Sequence, residues 1–470
     1  MSLNNNNNNS KLLNLSQLLL SFLVITSSAF FTLANLMPPS PADAQPSTTS
    51  NSQNLSNNPG YSTDAQIAIN QNNVYVVWSD ATTGNGDIYF KRSVDNGTSF
   101  GSTENLSNNP GNSTDAQIAI NQNNVYVVWS DASTGNGDIY FKRSVDNGTT
   151  FDEIENVSTN NTGSSSFPQI STVGSNIYVA WIDTTTGNNE VFFRHSNNTG
   201  ESFRGARELS KTLSVDGEYA MFPRVSAIGS NVYVVWQDKV SGNYEIFLRE
   251  SNDGGGEFSG VKNLSRNNTG DSISPRIVSS GNNVYVAWTD NEPGKNEIFL
   301  RASNDNAATF GGIKNVSWSD GDSYDPKIAV VGNSSVYVLW EDSSFRGFTF
   351  DLVFRASDNA ADTFQNKVNI GRYVGEIADH GQIAGIGNNV FIIWSEAPRY
   401  SYPPTYKIFL EASRDNGKSF DDAVNLSTGQ GSSIEPKIAV SENNRTVFVV
   451  WSEITNGNSD LQFLKLENFF

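Results

Sequence analysis

After residue 53 the chain is a succession of short apolar runs separated by Asn-, Gly- and Thr-rich turns, the rhythm of strands rather than helices. Gln66-Ile67-Ala68-Ile69 reads as one strand, Asn72-Asn73 as a turn, and Val74-Tyr75-Val76-Val77-Trp78 as a β-branched and aromatic strand buried on both faces. A Gly-Asn-Gly loop follows, then Asp87 to Arg92, a further turn and a short strand around Asn105-Leu106-Ser107. These four are strands A, B, C and D. Beyond the N-terminal segment no stretch sustains a helical period, so the pattern predicts an all-β fold.

The four-strand pattern recurs. Trp78, Trp129, Trp181, Trp236, Trp288, Trp340, Trp394 and Trp451 mark eight copies at steps of 51 to 57 residues, a period that with strands alone predicts a β-propeller. The copies are out of phase with the chain ends: Asn54-Leu55-Ser56 is a D strand before any A strand, and the chain stops after the eighth C strand, Leu461 to Leu466. The expectation is eight four-stranded antiparallel blades, the last completed by the N-terminal outer strand, which removes open sheet edges.

Between C and D seven copies carry a second motif: Ser93 to Phe100, Ser144 to Phe151, Ser196 to Phe203, Ser251 to Phe258, Ser303 to Phe310, Ser357 to Phe364 and Ser413 to Phe420. The pattern Ser-x-Asp-x-Gly-x-x-Phe resembles the Asp box, or BNR repeat, of sialidase-like propellers. Asn198 replaces its Asp in one copy and Asn359 in another, and Ala307 and Ala361 stand near the Gly position. The resemblance implies turns on the face opposite the ligand site. In the sialidases themselves it also implies six blades, three arginines for a carboxylate, a Tyr-Glu nucleophile pair, an Asp acid/base and a Phe/Tyr-Arg-Ile-Pro motif. This chain lacks that motif; its nearest string is Phe222-Pro223-Arg224-Val225. Arg224, Arg276 and Arg372 are candidates for such a triad, and Glu218-Tyr219 for the pair.

Composition narrows the partners. The 470 residues carry a formal net charge of -19, which makes nucleic acid an unfavourable partner. Cysteine is absent, excluding disulfides and thiolate sites. Lys11, an apolar run from Leu18 to Met37 and a small-residue site at Ala42-Asp43-Ala44 form a secretory signal pattern over 1–44, with an uncleaved membrane anchor as the alternative. Residues 45–53 read as a flexible leader and 54–470 as the propeller. The expectation is a monomer that is secreted or on the outer face of the envelope, touching membrane only through that segment. Asn-x-Ser sites at Asn54, Asn105, Asn156, Asn263, Asn315 and Asn425 would carry glycans on the outer rim.

Candidate chemistry lies in loops B–C and D–A, which share one face. Acids stand two positions after each Trp (Asp80, Asp131, Asp183, Asp238, Asp290, Asp342, Glu396, Glu453) and before most C strands; being near eightfold, they read as architectural, with calcium a weak alternative and no cofactor expected. The first residue of strand A is Gln66, Gln117, Gln169, Arg224, Arg276, Lys327, Gln382 or Lys437. Cations at Arg224, Arg276 and Lys327 on successive blades invite an anion. Copies one and two are nearly identical and read as spacers, whereas later copies bring aromatic and basic loop residues, among them Tyr219, Trp318, Arg372, Tyr373 and Tyr402. The favoured function is binding of a glycan or cell-surface protein by these residues with Glu218; a sialidase-like hydrolase is the alternative.

Overall fold

The computed structural model describes residues 52–467 apart from 160–161, 211–218, 241, 267–268, 293, 344–349, 372–375, 399–402 and 442–444. The N-terminal segment lies outside them. Eight antiparallel sheets each run A-B-C-D from the centre outward. In blade 1 these are Ser62–Asn70, Asn73–Asp80, Asp87–Ser93 and Glu104–Asn105. Each A strand adjoins the next, the first touching the last, so the ring is closed about a channel. In blade 8 the strands Ser432–Ser441, Thr446–Thr455 and Asn458–Glu467 are completed by Gln53–Asn54. Gln53 stands opposite Phe463, Asn54 opposite Gln462, and the Leu55 amide donates to Leu461 O at 2.7 Å.

The B strands are buried throughout because each blade is packed on both faces. Trp129 packs with Tyr75, Val77, Ile88 and Phe90 of the preceding blade, and Trp78 with Phe448, Val450 and Phe463 of the last blade. Truncating one such indole to Ala costs about 3–5 kcal/mol. Its N–H is also provided for. Trp78 Nε1 donates to Asp80 at 3.2 Å, Asp80 accepts in addition from Ser62 Oγ at 2.7 Å, and the pattern repeats through Trp394 and Glu396. The acid that opens strand C ties strands C and D together in a comparable way. Asp87 accepts from Ser107 Oγ, which itself accepts from the Ile88 amide, both at 3.0 Å. Where these bonds form the acids are therefore architectural; in blade 8 the Trp451 indole has no such partner among the described residues.

Strand D is shorter than the sequence suggests, two residues in most blades. Its hold comes from the next two positions, a buried apolar residue such as Leu55 or Leu106 and the bridging serine.

The Ser-x-Asp turns are self-contained. Asp95 accepts from Ser93 Oγ at 2.7 Å, the Ser99 amide at 2.9 Å and Ser99 Oγ at 2.6 Å, while Ser93 Oγ accepts from the Gly97 amide at 2.9 Å. Ser99 and Ser93 hold the Asp95 carboxyl down at about 2. The Asn96 amide donates to Asn72 O in the A–B turn, placing these turns on the base. Loops B–C and D–A lie at the other end, where the Ala81 amide donates to Tyr61 O. In five of the turns the Phe meets the C-strand aromatic of the preceding blade edge-on, as Phe151 does Phe90 at 4.9 Å; Phe310 and Phe364 instead pack in cores that hold Leu248 and Leu300.

Candidate functional site

Strand A begins before the glutamine or cation at which the sequence reading starts it. In blade 1 Ser62 and Thr63 already pair with strand B, and a bulge between Thr63 and Gln66 inserts one residue. The same bulge recurs in all eight blades. Its first residue has a positive φ: Asp64 (54°), Asp115 (57°), Phe167 (54°), Phe222 (52°), Ser274 (57°), Asp325 (47°), His380 (53°) and Glu435 (55°). None is glycine, so each costs on the order of 1 kcal/mol or more. In five blades proline follows, its missing N–H tolerated at a bulge on the innermost strand. The kink re-aims the side chain into the channel mouth, where neighbouring blades' residues meet: Phe167 and Phe222 lie 6.1 Å apart between ring centroids, and Arg276 reaches Asp325 of the next blade at 2.9 Å.

Two rings of side chains thus line the mouth. On blades 4 to 6 they form a cationic arc. Lys327 Nζ donates to Asp325 at 2.5 Å on the side opposite Arg276, so one carboxylate lies between two cations. Burial works to raise the Asp325 carboxyl, but Lys327 and Arg276 outweigh it and hold it far below its usual range. Arg224 is enclosed by the mouth, and among the described residues its one hydrogen bond goes to Pro223 O at 3.2 Å. Burial, with the neighbouring Arg276 charge, pulls its guanidinium down to about 9. Two cations thus contact one acid and a third stands beside them, in a chain that is otherwise strongly acidic.

Beside this arc is a titratable cluster whose carboxyls, Glu341 and Asp379, the sequence reading missed. Glu341 follows Trp340, where other copies have Ser79, Ser130, Ile182, Gln237, Thr289, Ser395 or Ser452. That position faces the bulge of the following blade, as Gln237 shows by accepting from the Ser274 amide at 2.8 Å. Glu341 therefore meets Asp379 and His380; burial and Asp325 raise its carboxyl well out of the usual range. His380 Nδ1 lies 2.7 Å from Asp379 Oδ1. Burial lowers the imidazole, but the Asp379 hydrogen bond and charge outweigh it and raise it. Burial and Asp379 push the Tyr406 phenol up to about 12.

Of the residues the sequence singles out, Arg224, Arg276 and Lys327 come together. Glu218, Arg372, Tyr373 and Tyr402 lie outside the described residues. Tyr219 is half exposed in the loop before strand A of blade 4 and lies near Tyr244. Trp318 is 71% exposed. It sits past strand D of blade 5, Lys314–Asn315, on the outermost strand's end rather than on the channel-lining strand. Asn315 Oδ1 accepts its amide at 2.9 Å and holds it at φ 40°. Asn57, Asn108, Thr159 and Arg266 occupy the same turn in other blades, each held by the Asn that opens the Asn-x-Ser site. Those asparagines thus have a local structural role.

No family model matches the sequence, and no curated protein does so. Among solved structures, a protein of unknown function from Dyadobacter fermentans has a TM-score of 0.45 at 12% identity, over 77% of this chain and 96% of that one. A prolyl endopeptidase has a TM-score of 0.48 at 10% identity, over 84% and 55%. The Trypanosoma rangeli sialidase, in complex with 2,3-difluorosialic acid, has a TM-score of 0.41 at 10% identity, over 86% and 54%. This chain spans about half the length of the latter two. At such identities the likeness concerns fold alone.

Proposed function

We propose that the protein is an exported carbohydrate-binding propeller, with an acidic sugar seated at the channel mouth and its carboxylate on Arg224 and Arg276. The observation that carries this reading is the arrangement of charge on blades 4 to 6: Arg276 and Lys327 share Asp325, with Glu341 beside Lys327, and Arg224 has no carboxylate hydrogen-bond partner among the described residues. Two neighbouring guanidiniums repel each other, and a carboxylate between them relieves that repulsion while gaining charge-assisted hydrogen bonds of about 1.5–3 kcal/mol each. The apolar pair Phe167 and Phe222 on the adjoining blades offers ring faces for a sugar. The test is calorimetric titration of N-acetylneuraminic acid and glucuronic acid against glucose. Both acids should bind at least tenfold more tightly, and Arg224→Gln with Arg276→Gln, which restores the residue of copy one, should remove that preference. Equal affinity for acid and neutral sugars overturns the reading.

Hydrolysis is the second reading, favoured by one observation. Two carboxyl groups of unlike environment, Glu341 pushed toward the protonated form and Asp379 beside His380 and Tyr406, are the arrangement acid/base catalysis uses. Turnover of a fluorogenic sialoside that is lost in Glu341→Gln would establish it; no turnover by the wild type would dismiss it.

A further inference from the structure

The other half of the mouth carries the opposite charge. Blades 1 and 2, which read as spacers from sequence, place Asp64 and Asp115 on the channel ring beside the neutral Gln66 and Gln117. Blade 8 adds Glu435 with Lys437. Blades 4 and 5, three steps round a ring of eight, have Arg224 and Arg276 beside Phe222 and Ser274. Blade 3 lies between the two arcs and presents Phe167, 41% exposed, against Phe222.

The fold does not account for the acids. Asp is well tolerated at positive φ, but the same bulge is made with Phe, Ser and His in other blades, so the backbone does not require a carboxylate there. Nor do these carboxylates hold the ring together: among the described residues their side chains have only the adjacent Thr63 and Thr114 as hydrogen-bond partners. Burial, with Glu435 and Asp115 nearby, pushes the Asp64 carboxyl up to about 6, and burial raises Asp115. Lys437 works to lower Asp64, though among the described residues no ion pair joins the two. On the other side Arg224 is enclosed with, among the described residues, only its own chain's Pro223 carbonyl as a partner. Each arc is short of an opposite charge, and among the described residues no ion pair joins Asp64 or Asp115 to Arg224 or Arg276.

We propose that the channel mouth is a two-ended site for a zwitterionic saccharide, with a sugar carboxylate on Arg224 and Arg276, the ammonium of an unacetylated amino sugar on Asp64 and Asp115, and the ring faces between them against Phe167 and Phe222. This rests on the acidic-sugar reading and names its ligand more narrowly. A sugar carrying the carboxylate alone satisfies one arc and leaves the acids facing water; a neighbouring ammonium satisfies both.

The experiment compares two probes that differ only at nitrogen: the disaccharide of glucuronic acid and N-acetylglucosamine, and the same disaccharide with the acetyl group removed, titrated at pH 7 into the full chain. The free amine should bind about tenfold or more tightly than the acetylated form. Asp64→Asn with Asp115→Asn should abolish that advantage, by weakening the free amine's binding relative to the acetylated form. Arg224→Gln with Arg276→Gln should weaken both probes. Equal binding of the two probes by the wild type overturns the two-ended site while leaving the acidic-sugar reading intact. Failure of both probes to bind overturns both. An advantage for the free amine that persists in the double Asp variant places the ammonium elsewhere and also overturns the assignment.

Discussion

At the scale of single residues, the departures from the base-turn motif turn out to be compensated. The Gly position packs against the C-strand residue of the preceding blade. A Cβ built on Gly148 would lie 2.8 Å from Phe90 Cζ; the same holds for Gly97 against Phe463, Gly200 against Phe141, Gly255 against Phe193 and Gly417 against Phe354. Ala307 and Ala361 occupy the position where the facing residue is instead Leu248 or Leu300, and each pair shares a core. Their φ of 64° and 62° is the strain accepted for filling the smaller residue's gap. Gly148→Ala should therefore destabilise the protein by about 2–4 kcal/mol, from overpacking and positive φ together. Adding Phe90→Leu should recover about 1–2 kcal/mol of it, although Phe90→Leu alone costs stability. A double-mutant cycle from urea unfolding measures this, and additive effects would contradict the pairing. In the sequence Ala307 and Ala361 read only as worn copies, because the residue they answer to lies some sixty positions earlier in another blade.

Among the elements, the closing strand is the one whose loss the ring should feel most. Gln53–Asn54 is short, but Leu55 is buried between blades 8 and 1, its carbonyl accepts from Lys91 Nζ at 2.7 Å, and Ser56 Oγ accepts from the Leu461 amide at 2.9 Å. Deleting 45–57 uncovers the last C strand, whereas deleting 45–50 removes none of these contacts. The longer deletion should lower the melting temperature by several degrees, Leu55→Ala alone costing about 2–5 kcal/mol. The shorter deletion should leave it unchanged, and equal melting for the two would contradict closure by this strand. The strand was legible because Asn-Leu-Ser recurs with the period and its first copy is out of phase. The A-strand bulge was not. Its residues 62–65 carry no apolar alternation and read as loop, so the acids Asp64, Asp115, Asp325 and Glu435 at the bulge escaped notice while the residues two positions later did not.

For the molecule as a whole, carboxyls at the two ends of the channel are shifted in opposite senses, with Asp325, held down between its two cations, the exception at the mouth. At the mouth Asp64 stands at about 6, raised by burial, Glu435 and Asp115, and burial raises Asp115 and Glu341 too. On the base Asp95, Asp146, Asp305 and Asp415 are held at about 2 by the hydroxyl and amide donors of their turns, with burial opposing in each. A raised carboxyl binds more protons folded than unfolded, so the mouth acids make stability fall as pH rises from about 4 through 6. Depressed carboxyls do the reverse: their stabilisation is complete above the unfolded value near 4 and is lost as pH falls toward 2. The net charge of -19 adds self-repulsion at neutral pH and so acts in the same direction as the mouth. Stability should accordingly rise on acidification from pH 8 to between about 4 and 5, then drop. Asp64→Asn should flatten the rise without moving the drop, because only the mouth loses a titrating group. Asp95→Asn should weaken the drop and leave the rise. Urea unfolding midpoints of the three proteins across pH 3 to 8, at low protein concentration because the isoelectric point near 4.5 lies in that range, test both limbs. A wild-type midpoint that climbs steadily from pH 4 to 7 would mean that the mouth carboxylates are paired in the free protein, and would remove the unmet negative charge on which an ammonium could act.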